Sequence, residues 1–511
     1  MLVGSDLGTQ PAILALDARD QLPAGHVVFG LIENMRRVDM SAFGAAYRLD
    51  GVGRPPYDPR VIVTLLLYCR MKGITSTRGV AMACRDDLGA MLITGGRHPD
   101  RSTLDRFVET HAEAIKALLA QTLRLGHPLG LVDLSVVAGD GSYIDANAAM
   151  SATLDEAKLV ARIEQLRQRV TQAEALWLAE VADQVTAFAL TGEVEAVCPR
   201  GDASSAAWRR WQSQCGRLRK AEHALDYLRT HPATATQDWQ DRLDRDRERA
   251  QRWQQRLAAE HVAAEAAIER RRQALAAGAR MPGTKPETPE QYLKVRRAQA
   301  ALDTATARAL ATATERPTDR VNITDPASRI MPSKHGEGFA QRHNLQVLSC
   351  RRQFILAVTT HDSSADNRAM VKLLQTGRAN LNAAGITDPI GAALFDCGYA
   401  SAANFTAQTP VTQLIVAVEK EARQTTRLAD GTSTAREAWA TMAERLADHT
   451  ISELYKQRGA IVEPAFAQLG DRFGTEINYR DTNVDTELHL RAVAHNLLKI
   501  MDAQRRRRSD N

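Results

Sequence analysis

The segment at residues 135–147, SVVAGDGSYIDAN, indicates the fold class of this 511-residue chain. Val136, Val137 and Ala138 form a short apolar run that is typical of a buried strand. Asp140 and Gly141 end that run abruptly, so a carboxylate lies where the chain leaves the core and a ligand can approach. The segment therefore predicts a sheet with a functional acid at the end of one strand.

The composition is that of an ordinary globular protein with more than one domain, since 44% of the residues are hydrophobic. The six cysteines lie far apart and form no CxxC pair, which argues against a zinc site or a disulfide framework and favours a reducing, cytoplasmic setting. Neither a secretion signal nor an apolar run of about 18 residues is found, so no membrane partner is expected. The net charge of +5 and the arginines at 505–508 are compatible with a polyanionic partner.

Residues 1–130 are predicted to form an all-α domain. Asp58 and Pro59 begin one helix, and Ser102 with Asp105 predicts another helix start through a capping box. Short helices joined by tight turns are compatible with a helix-turn-helix-like DNA-binding domain, although a plain helical bundle fits the same pattern. The arginines expected to contact DNA are Arg78, Arg101 and Arg106.

Residues 155–316 have a helical period. Apolar residues recur there at steps of four and three, which predicts the seam of a coiled coil. Such a seam can join two copies of the chain, or it can close an antiparallel hairpin within one chain. The seam residues are Leu159, Ile163, Leu166, Val170, Ala173 and Trp177.

The remaining residues return to a strand period. Strand-like segments that begin at Asn344 and Phe354 predict a β-hairpin, and the run ALF predicts a strand that ends at Asp396. Together with SVVAGD these strands predict one sheet that the helical zone interrupts. The fold class is therefore mixed α/β, with a discontinuous sheet domain (131–154 and 317–511), a helical insertion (155–316) and a helical N-terminal domain (1–130).

Three carboxylates are the candidates for a catalytic site. Asp140 and Asp396 each follow an apolar strand, and Glu463 lies in a segment whose apolar residues would face a core. Three acids from separate elements are what a two-metal phosphoryl-transfer site requires, because Mg²⁺ prefers oxygen ligands. A single aspartate at a strand end is more often a turn or cap residue, so this pattern alone leaves both interpretations open.

At these positions the chain resembles the DDE transposases of bacterial insertion sequences. The resemblance covers most of the chain outside the heptad zone, its motifs occur in the family order, and the N-terminal helices resemble the family's helical domain. The segments that carry it are VVAGDGSYIDANAAM, VNITDPASRIMPSK, HNLQV, ALFDCGYASAANF, ELYKQRGAIVEPAFAQLG and ELHLRAVAHNLLKIM.

The resemblance implies a ribonuclease-H-like catalytic fold in which Asp140, Asp396 and Glu463 bind two Mg²⁺ or Mn²⁺ ions. Tyr455 and Arg458 match the Tyr-x2-Arg part of the family's third motif, whose arginine is expected to contact phosphate. Glu463 follows Arg458 after four residues, where the family motif has three.

The function that the resemblance implies is transposition. The partners are then double-stranded DNA, as the terminal inverted repeats of the element and the target, and a second copy of the chain that helps to hold two DNA ends. The expected location is the bacterial cytoplasm, at the nucleoid. Two alternatives are a catalytically degenerate DNA-binding regulator and a coiled-coil scaffold with a purely structural sheet.

Overall fold

The computed structural model divides the chain into two compact units, Met1–Met150 with Ala327–Asn511, and Ser151–Pro326. The combination of helices with a mixed sheet confirms the predicted α/β class. The division into three domains stays a prediction. The residues that the structure describes are 19–44, 56–191, 205–231, 234–279, 286–315, 319–332, 338–363, 365–418, 433–474, 476–480 and 483–509.

Helices make up most of the described chain, and none of those described is long and apolar enough to cross a membrane. In chain order they are α1 (Val27–Arg36), α2 (Ser41–Gly44), α3 (Pro59–Met71), α4 (Thr77–Asp86), α5 (Leu88–Thr94), α6 (Arg101–Thr110), α7 (Ala112–Gly126), α8 (Glu156–Thr191), α9 (Ala206–Thr230), α10 (Thr234–Ala276), α11 (Leu293–Thr314), α12 (Met370–Ala383), α13 (Ala402–Thr406), α14 (Ser433–Ala447), α15 (His449–Tyr455), α16 (Arg458–Phe473) and α17 (Asn483–Ser509). Helices α8 to α11 belong to the second unit.

Side-chain caps set the starts of the N-terminal helices. Asp58 caps α3 as predicted, because its carboxylate accepts a hydrogen bond from the Arg60 N–H at 2.8 Å. The predicted start of α6 at Ser102 is wrong. Asp100 is the cap, accepting from the Thr103 N–H at 2.7 Å, and the Ser102 hydroxyl donates to the same carboxylate. A carboxylate is favoured at this position because its charge complements the helix dipole.

The strands of the first unit form one sheet, and the predicted hairpin is confirmed as the antiparallel pair β5–β6. The central strand β1 lies between β5, to which it is antiparallel, and β7, to which it is parallel; β8 is parallel to β7, and β4 pairs with the start of β5. The second unit contains the short pair β2–β3. The strands are β1 (Val136–Asp145), β2 (Thr153–Asp155), β3 (Arg320–Asn322), β4 (Arg329–Pro332), β5 (Phe339–Cys350), β6 (Ile355–His361), β7 (Ile390–Phe395) and β8 (Val411–Val416).

Both faces of the central sheet are covered. On one face Val136 and Ala138 of β1 pack with Ile461 and Val462 of α16. On the other face Val137 belongs to the large core that also includes side chains of α3, α7, α12 and α17. Alternate residues of β1 therefore face different helices, and α16 covers the face that carries the even-numbered residues at the start of the strand.

The C-terminal helix α17 is buried along most of its length. An ion pair lies inside it, with Arg491 Nη2 2.6 Å from Glu487 Oε1 and side-chain exposures of 3% and 0%. Arg491 also donates to the carbonyl of Gly474, and Glu487 accepts from the backbone N–H groups of Asn478 and Tyr479. The Arg491–Glu487 pair therefore hydrogen-bonds the backbone at Gly474, Asn478 and Tyr479, after the end of α16, to the buried helix α17.

The stability of the protein should decrease as the pH falls from about 6.5 to about 4, partly because of His495. Burial lowers the pKa of His495 to about 4, and its Nε2–H donates to the Gln353 carbonyl at 2.8 Å. The unfolded state binds more protons than the folded state throughout that pH range, so acid favours unfolding, by about 3 kcal/mol for this residue. In urea unfolding at several pH values, His495→Gln should flatten the dependence, whereas a substitution of the exposed His98 should not. An unchanged slope in His495→Gln would contradict this assignment.

The heptad seam of the second unit is packed within one chain. Leu159, Ile163 and Leu166 of α8 form a core with Ala221, Ala224 and Leu228 of α9. Ion pairs join Glu156 to Arg229 and Arg167 to Glu222, so the two helices are antiparallel. The hairpin, one of the two predicted alternatives, thus uses this part of the seam, and the seam no longer supports the predicted dimer.

A second antiparallel pair, α10 and α11, completes this unit. Trp239 Nε1 donates to the Thr312 carbonyl at 2.7 Å, and the Thr312 hydroxyl donates to Asp246 at 2.9 Å. Arg308 forms an ion pair with the same buried aspartate at 3.0 Å. Specific polar contacts therefore fix the register of two helices whose sequences are otherwise rich in exposed charges.

Candidate active site

Asp140 lies on β1, and Asp396 immediately follows the neighbouring parallel strand β7. The pairing of β1 with β7 ends at Ala138 and Leu394, and each aspartate comes two residues later in the chain. Asp140 is not at the end of its strand, contrary to the prediction, because β5 continues to pair with β1 as far as Asp145. The two aspartates therefore lie where β1 and β7 part, rather than where β1 ends.

Arg458, the first residue of α16, connects two of the predicted acids. Its Nη1 lies 3.1 Å from Asp140 Oδ2, and its Nη2 lies 3.8 Å from Glu463 Oε1. Ile461 and Val462 pack on the sheet one turn later, and this contact holds the start of the helix over Asp140. Because Glu463 comes five residues after Arg458 on the same helix, its carboxylate lies near the guanidinium that also contacts Asp140.

The electrostatics of this cluster reflect its partial burial. Burial raises the pKa of Asp140, the Arg458 guanidinium opposes that shift, and the neighbouring Asp396 adds to it. Burial lowers the pKa of Arg458, but Asp140, Tyr455 and Asp396 together raise it by more, so the net shift of this pKa is upward. Burial also raises the pKa of Tyr455, whose hydroxyl lies near Arg458. The side chains of Asp140 and Arg458 are 20% and 17% exposed, whereas Glu463 is 67% exposed.

Glycines approach Asp396 and Glu463 closely, and a third glycine, Gly141, follows Asp140 in the chain and approaches Asp366. A Cβ on Gly141 would lie 2.6 Å from Asp366 Oδ1, and a Cβ on Gly398 would lie 3.0 Å from Asp396 Oδ1. A Cβ on Gly459 would lie 3.0 Å from Glu463 Oε1. The backbone therefore approaches the carboxylates at distances that side chains would obstruct, which leaves space around the oxygen atoms.

Asp366, which sequence reasoning missed, lies at the same edge. Asn344 Nδ2 and Gln346 Nε2, both on β5, donate to its Oδ1 at 2.8 and 2.7 Å. The Tyr399 hydroxyl in turn donates to Gln346 Oε1. The signal in the sequence was an acid some residues after a predicted strand, and Asp140 and Asp396 already fitted that pattern better.

The other predicted residues lie elsewhere. Arg78 on α4 and Arg101 and Arg106 on α6 are exposed. Asp145 forms an ion pair with Arg342 at 2.6 Å, and it lies five residues after Asp140 on β1, on the opposite face of the strand. Asp325 is fully buried in the second unit.

The donor set fits Mg²⁺ or Mn²⁺ in its chemistry, because it consists of carboxylate oxygens bordered by glycines. Among the described residues, no three Asp, Glu, His or Cys side chains come close enough together to hold a metal ion. In this arrangement the Arg458 guanidinium contacts Asp140, and the Glu463 carboxylate contacts Arg458.

Two family models match the chain. A Transposase domain (DUF772) matches residues 17–110, and a Transposase DDE domain matches residues 287–497, which include Asp396 and Glu463. Asp140 lies outside both ranges. No curated protein and no solved structure matches the chain. Both matched models describe transposases, one in the N-terminal part of the chain and one in the C-terminal part. The chain therefore belongs to the DDE transposases of insertion elements.

Proposed function

We propose that this protein binds the ends of its insertion element and catalyses metal-dependent DNA strand cleavage and strand transfer. The observation that carries the proposal is the position of Asp140 on β1 and of Asp396 directly after the adjacent parallel strand β7, with Arg458 and Glu463 on the helix α16 that packs on the sheet. Carboxylates beside a guanidinium are the groups that phosphodiester chemistry requires, since the acids bind cations and the arginine binds phosphate.

The sheet domain is proposed to be ribonuclease-H-like. The strand order supports this, because a central β1 lies between the antiparallel β5–β6 hairpin and the parallel strands β7 and β8. In this proposal residues 131–154 and 317–511 form the catalytic domain, and residues 155–316 are an insertion into it. Residues 1–130 supply a helical DNA-binding domain.

Asp140, Asp396 and Glu463 are the residues proposed to hold two Mg²⁺ or Mn²⁺ ions. Such ions activate the attacking oxygen and stabilise the leaving oxygen of an in-line displacement. Glu463 is the most exposed of the three acids and extends from a helix surface, so its side chain is free to turn toward the aspartates.

Arg458 has two tasks in this proposal. Without DNA it partly neutralises Asp140, which lies in a half-buried position beside another aspartate. With DNA its guanidinium donates to a phosphate oxygen near the scissile bond, and the Tyr455 hydroxyl beside it helps to orient it.

DNA outside the catalytic edge is proposed to contact the exposed Arg78, Arg101 and Arg106 and the arginines at 505–508. Arg505 and Arg508 already form exposed ion pairs with Asp502 and Glu33, so they exchange these partners for phosphates.

A dimer that holds two DNA ends remains part of the proposal. Its interface lies outside the α8 residues that pack against α9.

Purified protein should nick DNA that carries the flanks of its own gene when Mg²⁺ or Mn²⁺ is present, and should leave it intact in EDTA. Binding, measured by mobility shift, should persist in EDTA and weaken steeply with salt. A denaturing gel of end-labelled DNA gives the cleavage positions. Cleavage that is independent of divalent ions would contradict the proposal.

The second candidate function is that of a DNA-binding regulator that does not cut. The ion pair between Arg458 and Asp140 favours it, because a neutralised aspartate attracts cations less strongly. This candidate predicts the same salt-sensitive DNA binding with no nicking in any divalent ion. A scaffold without DNA function predicts neither binding nor nicking.

A further inference from the structure

Asp366 lies between the two backbone segments that carry Asp140 and Asp396. A Cβ on Gly141, next to Asp140, would lie 2.6 Å from Asp366 Oδ1. A Cβ on Gly398 would lie 3.4 Å from Asp366 Oδ2 and 3.0 Å from Asp396 Oδ1. The carboxylate of Asp366 therefore reaches both segments, with one oxygen toward each.

Two buried amides fix this carboxylate from below. Asn344 and Gln346 are fully buried on β5, and both donate to Oδ1 of Asp366. Gln346 also donates to Asn344 Oδ1 and accepts from Tyr399, so its own orientation is determined. Neutral amides satisfy the hydrogen bonding of a carboxylate but leave its charge in place. The negative charge of Asp366 therefore remains at the edge where Asp140 and Asp396 lie.

The pKa of the Tyr399 hydroxyl is affected by three acids, Asp366, Asp140 and Asp396. Burial raises its pKa well above the ordinary value, and Asp366, Asp140 and Asp396 each raise it further. The negative charges of the three carboxylates therefore act on the same buried hydroxyl. Like charges in a partly buried region repel one another, and a bound cation relieves this repulsion.

We infer that Asp366 is a fourth acidic residue of this centre, a positioning residue whose negative charge strengthens divalent-cation binding at Asp140 and Asp396. The inference rests on the proposed function. Asp366 acts through its negative charge, and its carboxylate also lies close to the backbone at Gly141 and Gly398 and so helps to position these two segments. Asparagine would serve equally well if only the hydrogen bonds from Asn344 and Gln346 mattered, since its oxygen accepts the same two bonds.

The test is direct binding of Mn²⁺ to the full chain, measured by electron paramagnetic resonance of the free ion, without DNA. Asp366→Asn should weaken Mn²⁺ binding by about tenfold or more, since the lost charge acts in a region of low effective dielectric constant. Asp366→Glu, which keeps the charge, should bind Mn²⁺ more tightly than Asp366→Asn. The matched control is Asp362→Asn, an exposed acid four residues earlier, which should bind as the wild type does.

The Asp140→Asn variant distinguishes the inference about Asp366 from the proposed metal centre itself. If Asp140→Asn abolishes Mn²⁺ binding while Asp366→Asn leaves it unchanged, the inference fails and the proposed metal centre stands. If Asp366→Glu loses as much affinity as Asp366→Asn, charge is not the cause and the inference also fails. If the wild type binds Mn²⁺ no better than Asp140→Asn, the proposed metal centre itself is wrong.

Discussion

Asp140→Asn and Asp396→Asn should each lower the rate of DNA strand cleavage by about a hundredfold to a thousandfold or more, and should leave DNA binding intact. Asparagine keeps the volume of the side chain but has a single acceptor oxygen, so Asp140→Asn can keep only one of the two hydrogen bonds that Asp140 accepts, from Arg458 at Oδ2 and from the Gly141 N–H at Oδ1. The substitution removes the negative charge on which cation binding depends. DNA binding should persist or strengthen, because one source of repulsion toward phosphate is removed.

The measurement is single-turnover cleavage of end-labelled DNA, with binding followed separately by mobility shift in EDTA. Asp145→Asn is the matched control, since Asp145 lies on the same strand but faces Arg342 on the other side of the sheet. It should cleave at close to the wild-type rate. Wild-type cleavage by both Asp140→Asn and Asp396→Asn would show that the assignment of these acids is wrong.

Glu487→Gln should lower the free energy of unfolding by about 3–5 kcal/mol, which would be the largest effect on stability considered for this chain. The change leaves Arg491 buried with its charge unpaired, and burial already lowers the pKa of Arg491 against the opposing attraction of Glu487. The backbone N–H groups of Asn478 and Tyr479 also lose a charged acceptor. Urea unfolding followed by circular dichroism measures the difference.

Asp502→Asn on the same helix is the control for this prediction. Asp502 pairs with Arg505 at 2.7 Å, but the two side chains are 52% and 61% exposed. Exposed pairs contribute little, so the control should unfold at nearly the wild-type urea concentration. Equal destabilisation by the two substitutions would contradict the role assigned to the buried pair.

The strands of the sheet could be predicted because their apolar runs are short and bounded by turn residues. Such runs located β1, the β5–β6 hairpin and the strand before Asp396, and parallel order explains why Asp140 and Asp396 become neighbours. The extent of β1 could not be predicted from its own residues. Gly139 and Gly141 weaken the strand pattern, and it is the pairing with β5 that carries β1 on to Asp145.

The contacts of the site depend on tertiary structure, which a single sequence does not display. Asp366 joins the edge only because Asn344 and Gln346 present their amides from β5. The ion pair between Arg458 and Asp140 likewise joins residues that are far apart in the chain. The heptad seam shows the same limit, since its spacing predicts a partner helix but does not specify whether that helix is α9 or a second copy.

The order of the strands along the chain has a consequence for biosynthesis. The ribosome makes the central strand β1 before the whole of the second unit, and the pairing partners of β1 begin only at Phe339 and Ile390. At typical translation speeds β1 waits roughly 10–40 s for β5. The helices α8 and α9 are complete long before β5 is made, so their shared core can form during this interval, and the β2–β3 pair then joins residues near the two ends of the unit. Once folded, it replaces a long flexible loop with a short connection, which lowers the entropy cost of bringing β5 to β1.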